Sequence, residues 1–319
     1  MSAPRVAGRK TAAKRLPPAM LKPASDSIVL ISDSTTTAAF KTIATTLIAR
    51  IVSQQAAVQQ RDPVGVHQMR IALRRTRVLI TIFAALVYGP ETERLKSELK
   101  WLTGRLGPAR DLHLMDLKLK ETDGVGSTAF RKRLAADRAS AFATASRTVT
   151  DKRFDKLLAD LSRWIEAADR AQTAQGVPEK AKTFAKRTLK RRAKRLTGKL
   201  DRLEELDDEQ RHRVRIAAKK LYYTAGFFES LFAGRKSGKR LAKFSKRLKK
   251  LLDALGLLND AAVQRELATN VASKSQHATK GPAKAAEDVA AAGDAARDEQ
   301  MRAALKAARR LADTPLFGE

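Results

Sequence analysis

The sequence predicts an all-α fold built from two similar helical halves, and three observations carry that prediction. A segment that begins at His67, HQMRIALRRTR, occurs again from His212 as HRVRIAAKKLY. A shorter pair follows, LGPARD from Leu106 and LGLLND from Leu255. Beyond Ser34 the strong helix formers Ala, Leu, Lys, Arg and Glu dominate, and clusters of β-branched residues are few. Because an internal repeat reports the architecture of the whole chain, each half is expected to contain one copy of the same helical arrangement.

Caps and helix breakers divide the first half into successive helices. Asp33 or Ser34 is expected to cap the first helix, and Pro63 fits the first turn of the second. The dipeptide Gly89-Pro90 ends that second helix. The helices of this half are predicted at about 35–60, 63–88, 91–105, 109–120, 127–147 and 151–170.

The two ends of the first half, about 35–170, are marked by changes in composition. Residues 1–26 are basic, rich in proline and without an acid before Asp26, which predicts a disordered basic arm in front of one domain over 27–319. A transit peptide is the alternative interpretation of this arm. The segment AQTAQGVP, residues 171–178, predicts a linker because it contains Gly and Pro. The second half, about 179–315, is predicted to contain helices at 179–204, 208–232, 238–255, 258–270 and 284–313.

Apolar residues recur every three or four positions in both copies of the repeat, as in helices with one buried face. The expected core positions are Met69, Leu73, Ile80 and Phe83 in the first copy and Val214, Ala218, Ala225 and Phe228 in the second. Stripes of this kind pack between helices and form bundles.

The net charge of +30, from 64 Lys and Arg against 34 Asp and Glu, predicts a polyanionic partner. Nucleic acid, inorganic polyphosphate, an anionic membrane surface and an acidic protein all satisfy this expectation. Aromatic residues make up only 5% of the chain, which argues against stacking of single-stranded bases. The absence of cysteine excludes disulfides, Cys-based zinc sites and Cys nucleophiles. No apolar run reaches about 18 residues, so no transmembrane span is predicted.

Each copy of the repeat places a row of cations along one helix face, beside the apolar stripe. The first row is His67, Arg70, Arg74 and Arg77, with Arg75 next to it, and the second is His212, Arg215 and Lys219, with Lys220 next to it. Like charges one turn apart repel by a few tenths of a kcal/mol per pair. A bound anion is therefore expected to compensate both rows.

Two further segments carry dense positive charge and are candidates for the same site. The candidates are Lys186, Lys190 and Lys194 in the segment 180–202, and Lys243, Lys246, Arg247 and Lys250 in the segment 239–250. Arg and Lys both bind phosphate oxygens, Arg as a fork and Lys as a mobile point charge. Each segment taken alone is also consistent with an ordinary solvated surface.

The remaining polar residues do not form a recognisable catalytic or metal-binding pattern. His67 and His212 are either ligands of the anion or structural residues at helix starts, whereas His113 is interpreted as incidental. Asp111 and Asp260 are expected to cap a helix or to orient a nearby Arg. The chain contains no HExxH, HxxxH or P-loop motif and no evident pair of catalytic carboxylates, so we predict no metal, no cofactor and no enzyme activity.

The motifs HxxRxxxRRxR with LGxxRD, followed by HxxRxxxKKxxY with LGxxND, resemble those of the CHAD family, the histidine-containing α-helical domain. The resemblance covers roughly residues 35–319 and includes the C-terminal sequence LADTPLFGE. It implies two bundles related by a pseudo-twofold axis, with a basic central groove or pore. It also implies binding of inorganic polyphosphate without catalysis, and a cytoplasmic location at polyphosphate granules.

The resemblance extends to individual positions of the repeat. The residues on the family motif are His67, Arg70, Arg74, Arg77, His212, Arg215, Lys219 and Lys220, and the basic helix with Lys186, Lys190 and Lys194 corresponds in kind. Tyr222 departs from the pattern because an Arg is expected before the following Tyr. The family domain often accompanies a triphosphate-tunnel domain with an ExExK strand, but Glu93 is followed here by Arg94-Leu95. A stand-alone CHAD protein is therefore expected.

Two other functions remain open from the sequence. The basic arm and the high charge are also consistent with a nucleic-acid-binding or nucleoid-associated protein, although no base-reading motif is recognised. A polyphosphate or nucleotide hydrolase is a third hypothesis, against which stands the lack of a carboxylate cluster for metal ions.

Overall fold

The computed structural model describes residues 28–121, 128–172, 179–273 and 297–317, and within these ranges the chain forms helices and no strand. The all-α prediction is therefore confirmed. The helices are α1 (Thr36–Ser53), α2 (Gln55–Gln59), α3 (Pro63–Ile82), α4 (Ala84–Val87), α5 (Pro90–Glu121), α6 (Thr128–Val149), α7 (Lys152–Gln172), α8 (Ala181–Leu200), α9 (Asp208–Phe228), α10 (Lys236–Ser273) and α11 (Arg297–Ala312), with a 3-10 turn at Glu229–Phe232.

Side-chain caps fix the starts of the helices that carry the repeat. The Asp62 carboxylate accepts hydrogen bonds from the backbone N–H groups of Val64 and Gly65 at 2.9 and 3.1 Å, and Pro63 occupies the first turn as predicted. Asp207 begins α9 with a capping box. The first helix departs from the prediction, because Thr35 caps it in place of Asp33 or Ser34.

Several predicted boundaries are wrong by a turn or less. The predicted helix 35–60 is interrupted at Gln54, and the helix 63–88 is interrupted at Phe83. The helix 208–232 ends as a 3-10 turn, and α7 continues to Gln172, inside the predicted linker. The predicted arm 1–26, the rest of the linker and the residues 284–296 lie outside the described ranges.

The largest correction concerns the LG motifs, which do not break helices. The structure has one continuous α5 where helices at 91–105 and 109–120 were predicted, and one continuous α10 where helices at 238–255 and 258–270 were predicted. Pro108 lies inside α5 and cannot donate to the carbonyl of Gly104. Because Gly104 is exposed, solvent can hydrogen-bond that carbonyl. Packing against neighbouring helices therefore outweighs the local helix-breaking signal.

The two halves share one hydrophobic core. All eight stripe residues predicted from the repeat are buried. Helix α3 packs on α1 and α5, α9 packs on α8 and α10, and α3 also packs on α9 across the halves. The Phe83 ring stacks on Phe184 of the other half at 4.9 Å between centroids, and Phe228 lies 6.1 Å from both rings. The pseudo-twofold relation between the halves stays a prediction.

Candidate anion-binding site

In the first half, the cationic row packs directly on the LG motif of α5. Arg70 Nη1 donates to the backbone carbonyl of Thr103 at 3.3 Å, and its Nη2 lies 3.8 Å from Asp111 Oδ1. A Cβ atom at Gly107 would lie 3.1 Å from Arg70 Nη1. Glycine thus leaves the space that the guanidinium occupies. Asp111 orients an arginine, which is one of its two predicted roles, and does not cap a helix because α5 continues through it.

The second half shows the same packing between its row on α9 and the LG motif of α10. A Cβ atom at Gly256 would lie 3.4 Å from Arg215 Nη2. His212 Nδ1 forms a hydrogen bond with Asn259 Oδ1. The side chain of Asp260 lies outside the described part of the chain. In both halves, therefore, the LG motif serves as the surface on which the row is held.

Arg110, which the sequence analysis did not select, adds a cation to the first row. It occupies the position of Asn259 in the other half. Burial lowers the pKa of His67, and the charges of Arg110, Arg70 and Arg74 lower it further. Burial also lowers the pKa of Arg110. His67 is therefore neutral near pH 7, since its ordinary pKa is only 6.5. The arginine in the motif LGPARD is the sequence signal that could have identified Arg110.

Cations from both halves meet at Lys220. Burial lowers the pKa of Lys220, as do the charges of Arg192, Arg77 and Lys199. These residues belong to α9, α8 and α3, so the first row and the second half come together here. Nearby, the Arg75 guanidinium lies over the Phe227 ring, 5.3 Å from its centroid. Lys220 and Arg77 were predicted as candidates from the sequence, whereas Arg192 and Lys199 were not.

Arg192 is more deeply buried than Lys220. Its Nε is buried and has no hydrogen-bond acceptor among the described residues. Burial lowers the pKa of Arg192, and Arg191 and Arg195 lower it further. We call the connected set of cations the cationic track, and it consists of Arg110, His67, Arg70, Arg74, Arg77, Lys220, Arg192 and Lys199.

His113 extends the track towards α6, although the sequence analysis treated it as incidental. Its Nδ1 lies 3.4 Å from Arg138 Nη2, and its ring meets Phe142 edge-on. Burial lowers the pKa of His113, followed by the charges of Arg138 and Arg110. Arg138 also lies 3.8 Å from Asp116, so this end of the track is partly neutralised.

The other predicted cations lie apart from the track. Lys186 and Lys190 line a depression of about 430 Å³ beside Phe232. Lys190 and Lys199 are two and a half turns apart and therefore face opposite sides of α8. Lys194, Lys243 and Lys246 are exposed, whereas Arg247 and Lys250 line a depression between α10 and α11. The cations of the segment 180–202 that meet Lys220 are therefore Arg192 and Lys199, not the predicted Lys186, Lys190 and Lys194.

The positions that end the second row are half-buried. Tyr222 packs against the core and lies 6.1 Å from the Tyr223 ring, and Lys219 is half-buried beside it on α9.

In the described ranges no group of three or more His, Cys, Asp or Glu side chains is arranged to hold a metal ion. None of the described helices is both long and apolar enough to span a membrane.

A family model described as the CHAD domain matches residues 42–269, most of the chain. This protein belongs to the CHAD family. A crystal structure of the CHAD domain from the plant Ricinus communis is similar over 92% of this chain and 96% of that one, with a TM-score of 0.77 and 25% identity. PptA from Streptomyces chartreusis shares the CHAD-like fold at 16% identity, with a TM-score of 0.61 over 86% of this chain and 100% of that one. No curated protein matches the sequence.

Proposed function

We propose that this CHAD protein binds inorganic polyphosphate along the cationic track, without catalysis. The observation that carries the proposal is the meeting of Lys220, Arg192, Arg77 and Lys199, cations of three helices close enough to lower the pKa of Lys220. None of the four forms an ion pair within the described ranges. Lys220 and Arg192 are half-buried, so keeping them charged beside other cations costs free energy. A bound anion would offset that cost.

A linear polymer fits the track better than a single small anion. The track continues from α5 along α3 to α9 and α8, so its ligand must present charge at many successive points. Polyphosphate does so, because every unit of the chain carries negative oxygens that Arg and Lys bind directly. Resemblance to the CHAD family supports the same ligand, and from it we infer a cytoplasmic location at polyphosphate granules.

Competition binding tests the proposal against nucleic acid. Labelled long-chain polyphosphate is bound to the full chain at physiological salt and then displaced with unlabelled polyphosphate, RNA or duplex DNA. Unlabelled polyphosphate is expected to displace the label at much lower phosphate concentration than either nucleic acid. Equal displacement by duplex DNA at matched salt would instead support the nucleic-acid-binding alternative.

Incubation with magnesium separates binding from hydrolysis. The length distribution of polyphosphate is expected to remain unchanged after prolonged incubation with the protein. Progressive shortening would identify a hydrolase and contradict the non-catalytic part of the proposal.

The glycine beneath Arg70 offers a test with a matched control. Replacing Gly107→Leu fills the space of the guanidinium and is expected to weaken polyphosphate binding up to roughly tenfold, the value of one charge-assisted hydrogen bond. The control Gly104→Leu lies on the same helix with nothing within 4 Å and should leave the affinity unchanged. Leucine favours helix over glycine, so neither variant weakens α5 intrinsically. Equal affinities of the two variants would show that Arg70 is not part of the polyphosphate site.

Polyphosphate affinity is expected to rise as the pH falls through the titration of His67. In the free protein the pKa of His67 lies below 6.5, because burial and three arginines disfavour the charged form. A bound polyanion raises that pKa, so binding takes up a proton between the two values and is favoured at lower pH. Affinities measured across this window should show a shallower pH dependence in His67→Gln. An identical dependence in wild type and variant would show that the ligand does not reach His67.

A further inference from the structure

We propose that the depression between α10 and α11 is a second anion site, separate from the cationic track, which binds another segment of condensed phosphate chain. Each helix contributes two of the four cations around it, which are Arg247, Lys250, Lys306 and Arg310. The depression has a volume of about 260 Å³, and its remaining lining residues are Ala254, Ala303 and Ala307.

The four cations around the depression have no acidic partner in the described part of the chain to neutralise them. None of them forms an ion pair with a residue in the described ranges. On α5, by contrast, several cations pair with acids about one turn away, as in Arg94–Glu91 at 2.7 Å, Lys96–Glu93 at 2.6 Å and Lys120–Asp116 at 3.0 Å. Two helices thus bring uncompensated positive charge to opposite walls of one depression.

The lining of the depression indicates the chemistry of the ligand. Alanine side chains offer neither donors nor acceptors, so all polar contacts come from ammonium and guanidinium groups. No aromatic side chain lines the depression to stack a nucleotide base. The site is therefore suited to a compact ligand whose surface consists of anionic oxygens, and a run of condensed phosphates has this character.

The position of this site relative to the track has a functional consequence. Arg247 and Gly256 are nine positions apart on α10, or two and a half turns, so they face opposite sides of the helix. Gly256 faces Arg215 on α9, the helix that also carries Lys220 of the track. The protein would then hold two phosphate segments on separate faces and could link two polymer chains. This linking role rests on the proposed function of the track, whereas the second site itself does not.

Calorimetric titration of the full chain with tripolyphosphate counts the sites independently. Three phosphates are too short to reach around a helix of about 10–12 Å diameter, so each site takes its own molecule. The double variant Lys306→Glu, Arg310→Glu is expected to bind one equivalent fewer than the wild type. The reversal Arg302→Glu, Arg309→Glu is the control, since it makes the same charge change at exposed α11 residues that do not line the depression.

The outcomes separate the second site from the proposed function. Loss of one equivalent in the Lys306 and Arg310 variant, relative to the wild type and the α11 control, supports the site, whereas an unchanged count in that variant overturns it. Loss of one equivalent on replacing Arg74 and Arg77 with Glu supports the track, and no change there overturns the proposed function without touching the second site. The milder changes Lys306→Gln and Arg310→Gln serve if the glutamates reduce helicity, and they are judged by the same count.

Capture of one polymer chain by another tests the linking role. Biotinylated long-chain polyphosphate on beads is mixed with the protein and with fluorescent polyphosphate. Wild type and the α11 control are expected to retain fluorescence on the beads, and the Lys306 and Arg310 variant should retain several-fold less. Absence of retention by the wild type would mean that one chain occupies both sites, and the linking role would be wrong.

Discussion

Replacing Arg74, Arg77 and Lys220 together with Ala is expected to weaken polyphosphate binding about a thousandfold, at roughly tenfold for each lost phosphate contact. Arg77 and Lys220 lie where the track crosses between the halves, and Arg74 precedes Arg77 by about one turn on α3. The dependence of log affinity on log salt should also become shallower by about two, because fewer counterions are released. Folding stability should not fall, since the substitutions relieve repulsion between like charges.

A control variant with the same loss of charge separates local contacts from net charge. Lys132, Lys152 and Arg235 are exposed and form no ion pair in the described ranges. Replacing these three with Ala lowers the net charge equally, and only a small, salt-dependent decrease in affinity is expected. Equal losses in the two triple variants would mean that polyphosphate binds to the general positive field, and the track would not be a site.

The repeat made most of the site predictable from sequence, because the helical period fixes which side chains share a face. It placed His67, Arg70, Arg74 and Arg77 along one side of one helix, and it placed Val214 and Phe228 in the core. The repeat could not show which part of the neighbouring helix each row packs against. The two LG motifs were predicted to separate helices, yet they lie within helices and leave space for an arginine of the neighbouring helix.

Helix α8 shows why composition alone did not select the cations that meet Lys220. Cations occur around most of the circumference of α8, so their number does not indicate which face binds an anion. Arg192 and Lys199 are two turns apart and lie next to the apolar stripe, where a neighbouring helix must pack. Lys190 lies on the other side of the helix. A rule that favours cations bordering the buried stripe would have added Arg192 and Lys199 to the candidates.

The junction of the two halves gives the largest expected effect on stability. Phe83 is 1% exposed, and its ring contacts those of Phe40, Phe184 and Phe228 at 5.4, 4.9 and 6.1 Å between centroids. Replacing Phe83→Ala is expected to cost about 3–5 kcal/mol, because the rings around the cavity come from different helices and cannot all close it. Thermal unfolding should show a decrease in Tm of about 5–15 °C.

Phe154→Ala is the matched control, since Phe154 is also fully buried but lies in α7, away from the contact between α3 and α9. Both variants should lose comparable stability. Only Phe83→Ala is expected to weaken polyphosphate binding at a temperature where both proteins are folded, because Arg77 and Lys220 reach each other through the packing of α3 on α9. Full affinity in folded Phe83→Ala would show that each half binds the polymer on its own, and the track would then consist of two independent sites.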